Sequence, residues 1–135
     1  MTETQFIFSY QKYPVITVKF YYKNKETPYI DALLDSGGDF IVIPMPIAKY
    51  LDLKLKNAGS VDTAGGSASL FKSKINMTIG NKKNSYTYKN LQIHISDRND
   101  IPILLGRSPI FEDYEIIFRK KTNQLILNPY NIHKL

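Results

Sequence analysis

Short apolar runs rich in Ile, Val, Tyr and Phe recur about every ten residues between turn-forming clusters, a rhythm that predicts strands. Ile16, Val18, Phe20 and Tyr22 alternate with Val15, Thr17, Lys19 and Tyr21 until the polar stretch Lys23-Asn24-Lys25-Glu26-Thr27 breaks the run. A hairpin there leads into a second strand, Tyr29 to Leu34. Phe40 to Ile43 is apolar at every position, which predicts a strand buried on both faces. Pro44 and Pro46 stop it, and Ile47, Ala48, Tyr50 and Leu51 then follow helical spacing for a turn or two.

Farther along, Ile75, Met77 and Ile79 alternate with Asn76 and Thr78, a cluster from Gly80 to Asn84 makes a turn, and Leu91, Ile93 and Ile95 alternate with Gln92, His94 and Ser96. These form a long hairpin or two neighbouring strands. After the loop Ser96 to Asp100 comes a compact strand, Ile101 to Leu105, ending at Gly106. Ser108 to Tyr114 suits one short helix, with Ser108 as N-cap and Pro109 at its first position. Glu115 to Phe118, a Lys-Lys-Thr-Asn turn and Leu125 to Leu127 close the pattern as another hairpin. With no internal repeat, linker or low-complexity tract, the reading is one mainly β domain over residues 1–135.

Composition narrows the chemistry. A chain of 135 residues that is 43% hydrophobic and 22% charged has the make-up of a globular domain and too little length for two lobes with separate cores. No apolar run approaches the roughly 20 residues that cross a bilayer, and Glu3 stands where a signal peptide carries basic residues, so a cytoplasmic protein without membrane contact is expected. The absence of cysteine excludes disulfides, thiolate nucleophiles and thiolate metal sites, and His94 and His133 are too few for most zinc sites. No metal or cofactor is expected, and chemistry falls to carboxylates, hydroxyls or lysines. The net charge of +6 comes from fifteen lysines and three arginines spread along the chain, whereas a nucleic-acid reader usually clusters its basic residues. The densest pairs, Lys82-Lys83 and Lys120-Lys121, read as solvated turn tips.

The informative segment is Leu33-Leu34-Asp35-Ser36-Gly37-Gly38-Asp39-Phe40-Ile41-Val42-Ile43. An acid and two glycines lie between strongly apolar strands, so a carboxylate is held at the mouth of a core. Taken alone, Asp-Ser-Gly reads first as an ordinary polar turn. Two further features add to it. Ile103-Leu104-Leu105-Gly106-Arg107 again places a glycine directly after an apolar strand, and Ala64-Gly65-Gly66-Ser67 is a small flexible tip between plausible strands, suited to a mobile flap.

This combination resembles the retroviral-type aspartic proteases, the retropepsins, and their cellular relatives in bacteria and archaea, over roughly Ile16 to Leu127. The Pro and short-helix segment after Ile43 is more similar to the cellular members. The resemblance implies an all-β, closed-barrel fold with one or two short helices, and a homodimeric peptidase. It makes Asp35 the catalytic aspartate and Ser36 the hydroxyl, usually Thr, that braces the two active-site loops across the dimer axis. Gly37 keeps the backbone close to the catalytic water and substrate. Gly38 stands where the family usually has Ala, and Asp39 matches an aspartate that holds substrate backbone. Arg107 matches the arginine that pairs with that aspartate. Ala64, Gly65 and Gly66 match the flap, although the apolar neighbours of the viral flap are missing.

A lone carboxylate near its ordinary pKa of about 4 is a poor base and no acid at neutral pH. Two carboxylates about 3 Å apart lose their protons in separated steps, so one proton is shared; the ionised member takes a proton from water while the other polarises the scissile carbonyl. The chain has one such motif, since Asp39, Asp62 and Asp113 lack its flanking pattern, and the second aspartate is expected from a second copy. His94 reads as an outward residue of its strand. Tyr10, Tyr13, Tyr21, Tyr22 and Tyr29 could stack on bases but are also favoured strand residues. Ile116, Phe118, Leu125 and Leu127 suit either the core or a dimer sheet. The competing functions are a retropepsin-fold module that binds peptides or dimerises without cleaving, and a small basic nucleic-acid-binding β barrel. The latter leaves Asp35, Asp39 and Arg107 without a role.

Overall fold

A computed structural model describes residues 4–63 and 66–130. The first strand, β1 (Phe6–Ser9), is followed by β2 (Val15–Tyr22), the two-residue β3 (Lys25–Glu26), β4 (Ile30–Leu34), β5 (Ile41–Pro44) and a short helix α1 (Met45–Tyr50). Then come β6 (Lys56–Thr63), β7 (Gly66–Gly80), β8 (Ser85–Ser96), β9 (Ile103–Leu105), a short helical segment α2 (Arg107–Phe111), β10 (Tyr114–Arg119) and β11 (Gln124–Pro129). Six strands close on themselves in the order β2-β4-β9-β5-β8-β7, because β7 pairs back onto β2 through Val18↔Ile79 and Phe20↔Met77. The fold is therefore an all-β closed barrel with short helices.

Alternation explains the closure. Ile16, Val18 and Phe20 of β2, Ile75, Met77 and Ile79 of β7, and Ile93 and Ile95 of β8 point inward and are buried. Each fully buried aliphatic side chain contributes roughly 1.5–3 kcal/mol, and a one-residue slip would turn the whole set outward. The turn after β7 is fixed by Gly80 at φ +117°, where a Cβ would lie 2.1 Å from the Asn84 carbonyl oxygen. Outside the barrel, β1, β11 and β10 form a three-stranded antiparallel sheet. Its inner residues Phe6, Phe8, Tyr114, Leu125 and Leu127 join the same hydrophobic cluster as the barrel interior.

Strand boundaries differ from the sequence reading in instructive places. The pairing of β1 with β11 joins residues more than a hundred positions apart, which no local pattern announces. The strand at Phe40 to Ile43 was expected to be buried on both faces. In the fold Ile41 and Ile43 face the core, while Val42 is half-buried on the outside and Phe40 precedes the strand with half its surface exposed. Ser108, expected as the N-cap, is instead extended (φ −102°, ψ 129°) inside the segment, whose N-cap is Gly106. Leu125 and Leu127 are core, Ile116 packs against it, and Phe118 is exposed, edge-on to Tyr10.

Candidate active site

Strand β9 lies between β4, to which it is parallel, and β5, to which it is antiparallel. The loop leaving β4 must therefore cross over the end of β9 to enter β5, and residues 35–40 form that crossing. Four backbone hydrogen bonds clasp it to the chain leaving β9. The Asp35 amide donates to the Leu105 carbonyl (2.9 Å), Gly106 to Phe40 (3.1 Å), Arg107 to Gly38 (2.8 Å) and Ser108 to Asp39 (3.1 Å). The crossing is so close that a Cβ on Gly106 would stand 2.4 Å from the Phe40 carbonyl oxygen and 2.6 Å from its nitrogen. Glycine after the apolar run Ile103-Leu104-Leu105 is thus a steric requirement.

Within the loop the Gly37 amide donates to Asp35 Oδ1 at 3.0 Å, and the Gly38 amide to the Asp35 carbonyl at 3.2 Å. The carboxylate is oriented by its own turn. A Cβ on Gly38 would stand 3.2 Å from Asp35 Oδ2, so glycine leaves space beside that oxygen. Asp35 is half-buried, whereas Ser36 and Gly37 are exposed. Among the described residues the Ser36 hydroxyl has no hydrogen-bond partner within its own chain. Asp39 and Arg107 form an ion pair through Oδ1 and Nη2, with 66% and 56% of their side chains exposed.

The remaining aspartates singled out by type are engaged elsewhere. Asp62 accepts a hydrogen bond from the Ser67 hydroxyl at 3.2 Å, and Asp113 accepts one from the Tyr88 hydroxyl at 2.6 Å, which with burial pushes the Tyr88 phenol up. Among the described residues no group of three or more His, Asp or Glu side chains is placed to hold a metal ion. Strands β6 and β7 form a long hairpin, with Thr63 paired to Gly66; Ala64 and Gly65 lie outside the described residues. Every β6 residue whose exposure is described is open to solvent, and Gly59 and Gly66 adopt positive φ with open space around them.

His94 lies on the outer face of its strand, as its alternation with apolar neighbours predicts, but sequence reading did not single out Phe40 as its neighbour. Their rings lie 4.9 Å apart, on the outer face beside the loop. Burial and the neighbouring Lys72 lower the His94 pKa from its ordinary value. His133 lies outside the described residues. The tyrosines read as a possible stacking set do not form one platform: the rings of Tyr10, Tyr13, Tyr22 and Tyr29 each sit under a different lysine.

A six-stranded closed barrel whose Asp-Ser-Gly loop is clasped by a second glycine turn defines the retropepsin-like fold, and solved structures bear this out. A retropepsin-like aspartic protease from Rickettsia conorii superposes with a TM-score of 0.67 at 21% identity, over 92% of this chain and 98% of that one. The EIAV protease complexed with the inhibitor HBY-793 gives 0.54 at 19% identity, over 75% and 88%. The retroviral protease-like domain of Ddi1 from Leishmania major gives 0.56 at 9% identity, over 91% and 98%. The sequence profile of the family described as Aspartyl protease matches residues 17–108, and the chain belongs to that family. No curated protein matches the sequence significantly.

Proposed function

We propose that the chain, as one domain over residues 1–135, is an aspartic endopeptidase that works as a homodimer. The observation that carries this reading is the Asp35 carboxylate, oriented by the Gly37 amide on a loop clasped at both ends to the chain leaving β9. The family match supports peptidase chemistry. With one Asp-Ser-Gly motif in the sequence, a twofold axis beside the loop brings a second Asp35 to the first. The pair then shares a proton. One carboxylate removes a proton from water as its oxygen attacks the scissile carbonyl carbon, and the other protonates the carbonyl oxygen. Collapse of the tetrahedral intermediate breaks the C–N bond, the leaving amine takes the proton that the first carboxylate removed from water, and a hydroxyl of the intermediate returns its proton to the second, which restores the pair.

The other residues support this step. The Ser36 hydroxyl, without a partner among the described residues, reaches across the axis to brace the opposing loop. Gly37 and Gly38 leave room for water and substrate backbone beside the carboxylate, and Asp39, held by Arg107, accepts from substrate amides. The β6–β7 hairpin acts as the flap over an extended peptide whose main chain pairs as an added strand. Asp35→Asn is expected to abolish cleavage of a peptide library by purified protein at every pH from about 3 to 8 without altering the fold. Cleavage that persists in that variant would remove the mechanism, and wild-type protein that binds peptides but leaves them intact would favour a binding module.

A further inference from the structure

Fifteen lysines spread along a sequence suggest no concentrated charge, yet the fold gathers five of them. A groove of about 560 Å³ at the base of the β6–β7 hairpin is lined by Lys23, Lys54, Lys56, Lys72 and Lys74, together with Tyr22. Among the described residues no Asp or Glu lines it, and no residue of the Asp35 loop does. Among the described residues none of the five lysines forms an ion pair. Lys56 and Lys72 are direct cross-strand partners, and Lys74 follows two residues on, on the same face. Like charges placed opposite one another across a sheet are destabilising, so the arrangement is relieved by an anion between them.

We propose that this groove binds acidic stretches of polypeptide. Its face runs continuously to the candidate active site: register places Val42, His94, Lys72 and Lys56 in one row across β5, β8, β7 and β6, and the His94 ring touches Phe40, next to Asp39. The strands that wall the groove are also those that carry the hairpin tip. Lys72 and Lys74 stand two residues apart on an extended strand, about 7 Å, which matches alternate side chains of an extended peptide. Nucleic acid fits less well. Single-strand binders stack bases on open aromatic faces, and the one ring among the described lining residues, Tyr22, is already covered by Lys23 at 5.3 Å. Among the described residues no arginine lines the groove to grip phosphate bidentately. Assigning the bound polypeptide as substrate rests on the peptidase reading; the binding itself does not.

Fluorescence anisotropy with a labelled decaglutamate peptide tests this on the full chain, using wild type and Asp35→Asn in parallel. Saturable binding is expected in both. The triple variant Lys56→Gln/Lys72→Gln/Lys74→Gln should bind about tenfold or more weakly, while Lys82→Gln/Lys83→Gln/Lys121→Gln, which removes equal charge elsewhere, should bind nearly as wild type. No saturable binding, equal losses in the two triple variants, or tighter binding of a decauridylate RNA would each overturn the proposal. Thermal melting of each variant separates lost binding from lost fold. A chain that binds decaglutamate but cleaves nothing would sink the peptidase reading alone. One that cleaves neutral peptides but ignores decaglutamate would sink the groove alone.

Discussion

Among single residues, Gly106 is the most constrained position around the loop. Its missing side chain lets the Phe40 backbone approach, and a methyl group there would collide with backbone rather than with a yielding side chain. Gly106→Ala is therefore expected to destabilise the fold by about 3 kcal/mol, the upper end of overpacking costs, read by urea denaturation. A loss below roughly 0.5 kcal/mol would show that the clasp shifts freely. The Asp39–Arg107 pair behaves differently despite its closeness. Both side chains are more than half exposed, and exposed pairs contribute roughly 0–1 kcal/mol, so Arg107→Ala should change folding stability by less than about 1 kcal/mol. Its effect should appear instead as a raised KM for peptide cleavage, through a freed Asp39. The residues of the loop were legible in sequence because an acid and glycines between apolar runs are locally conspicuous. The steric reason for Gly106 was not, since it arises from a crossing between segments some seventy residues apart.

Strands and hairpins were legible where one face is wet and the other dry. The alternations in β2, β7 and β8 reported both element and facing. The run Phe40 to Ile43 misled because hydrophobicity alone does not distinguish a strand buried twice from one whose outer face is apolar. Phe40 and Val42 face outward, next to His94. That placement has a measurable consequence. His94 should titrate below the ordinary 6.5, and Lys72→Gln should raise its pKa only in part, because burial is the larger cause. A histidine harder to protonate folded than unfolded contributes stability above pH 6.5 that is lost as pH falls through the lower folded value. NMR titration of the His94 ring in both proteins measures this, and an unchanged pKa in Lys72→Gln would separate the two side chains.

Over the whole molecule, what sequence could not show is how distant charges converge. Lys23, Lys54, Lys56, Lys72 and Lys74 come from three stretches of the chain, and only closure of β7 onto β2 and β6 sets them around one groove. A mainly β domain was foreseen from many short strands, and the closed barrel only from the resemblance carried by Asp35, Gly37 and Gly106. The sheet of β1, β11 and β10 was foreseen only in its second hairpin.

Symmetry is the central claim at this scale: each chain supplies one aspartate, and the site needs two. Mixing tests it most directly. Wild-type protein at fixed concentration is allowed to exchange subunits with an equal amount of Asp35→Asn, and peptide cleavage is measured. If the site is shared, half of the wild-type chains end in inactive mixed dimers, so activity should fall to about one half and continue toward zero as more variant is added. Activity that stays at its starting value, however much exchanged variant is present, would mean that a single chain cleaves alone.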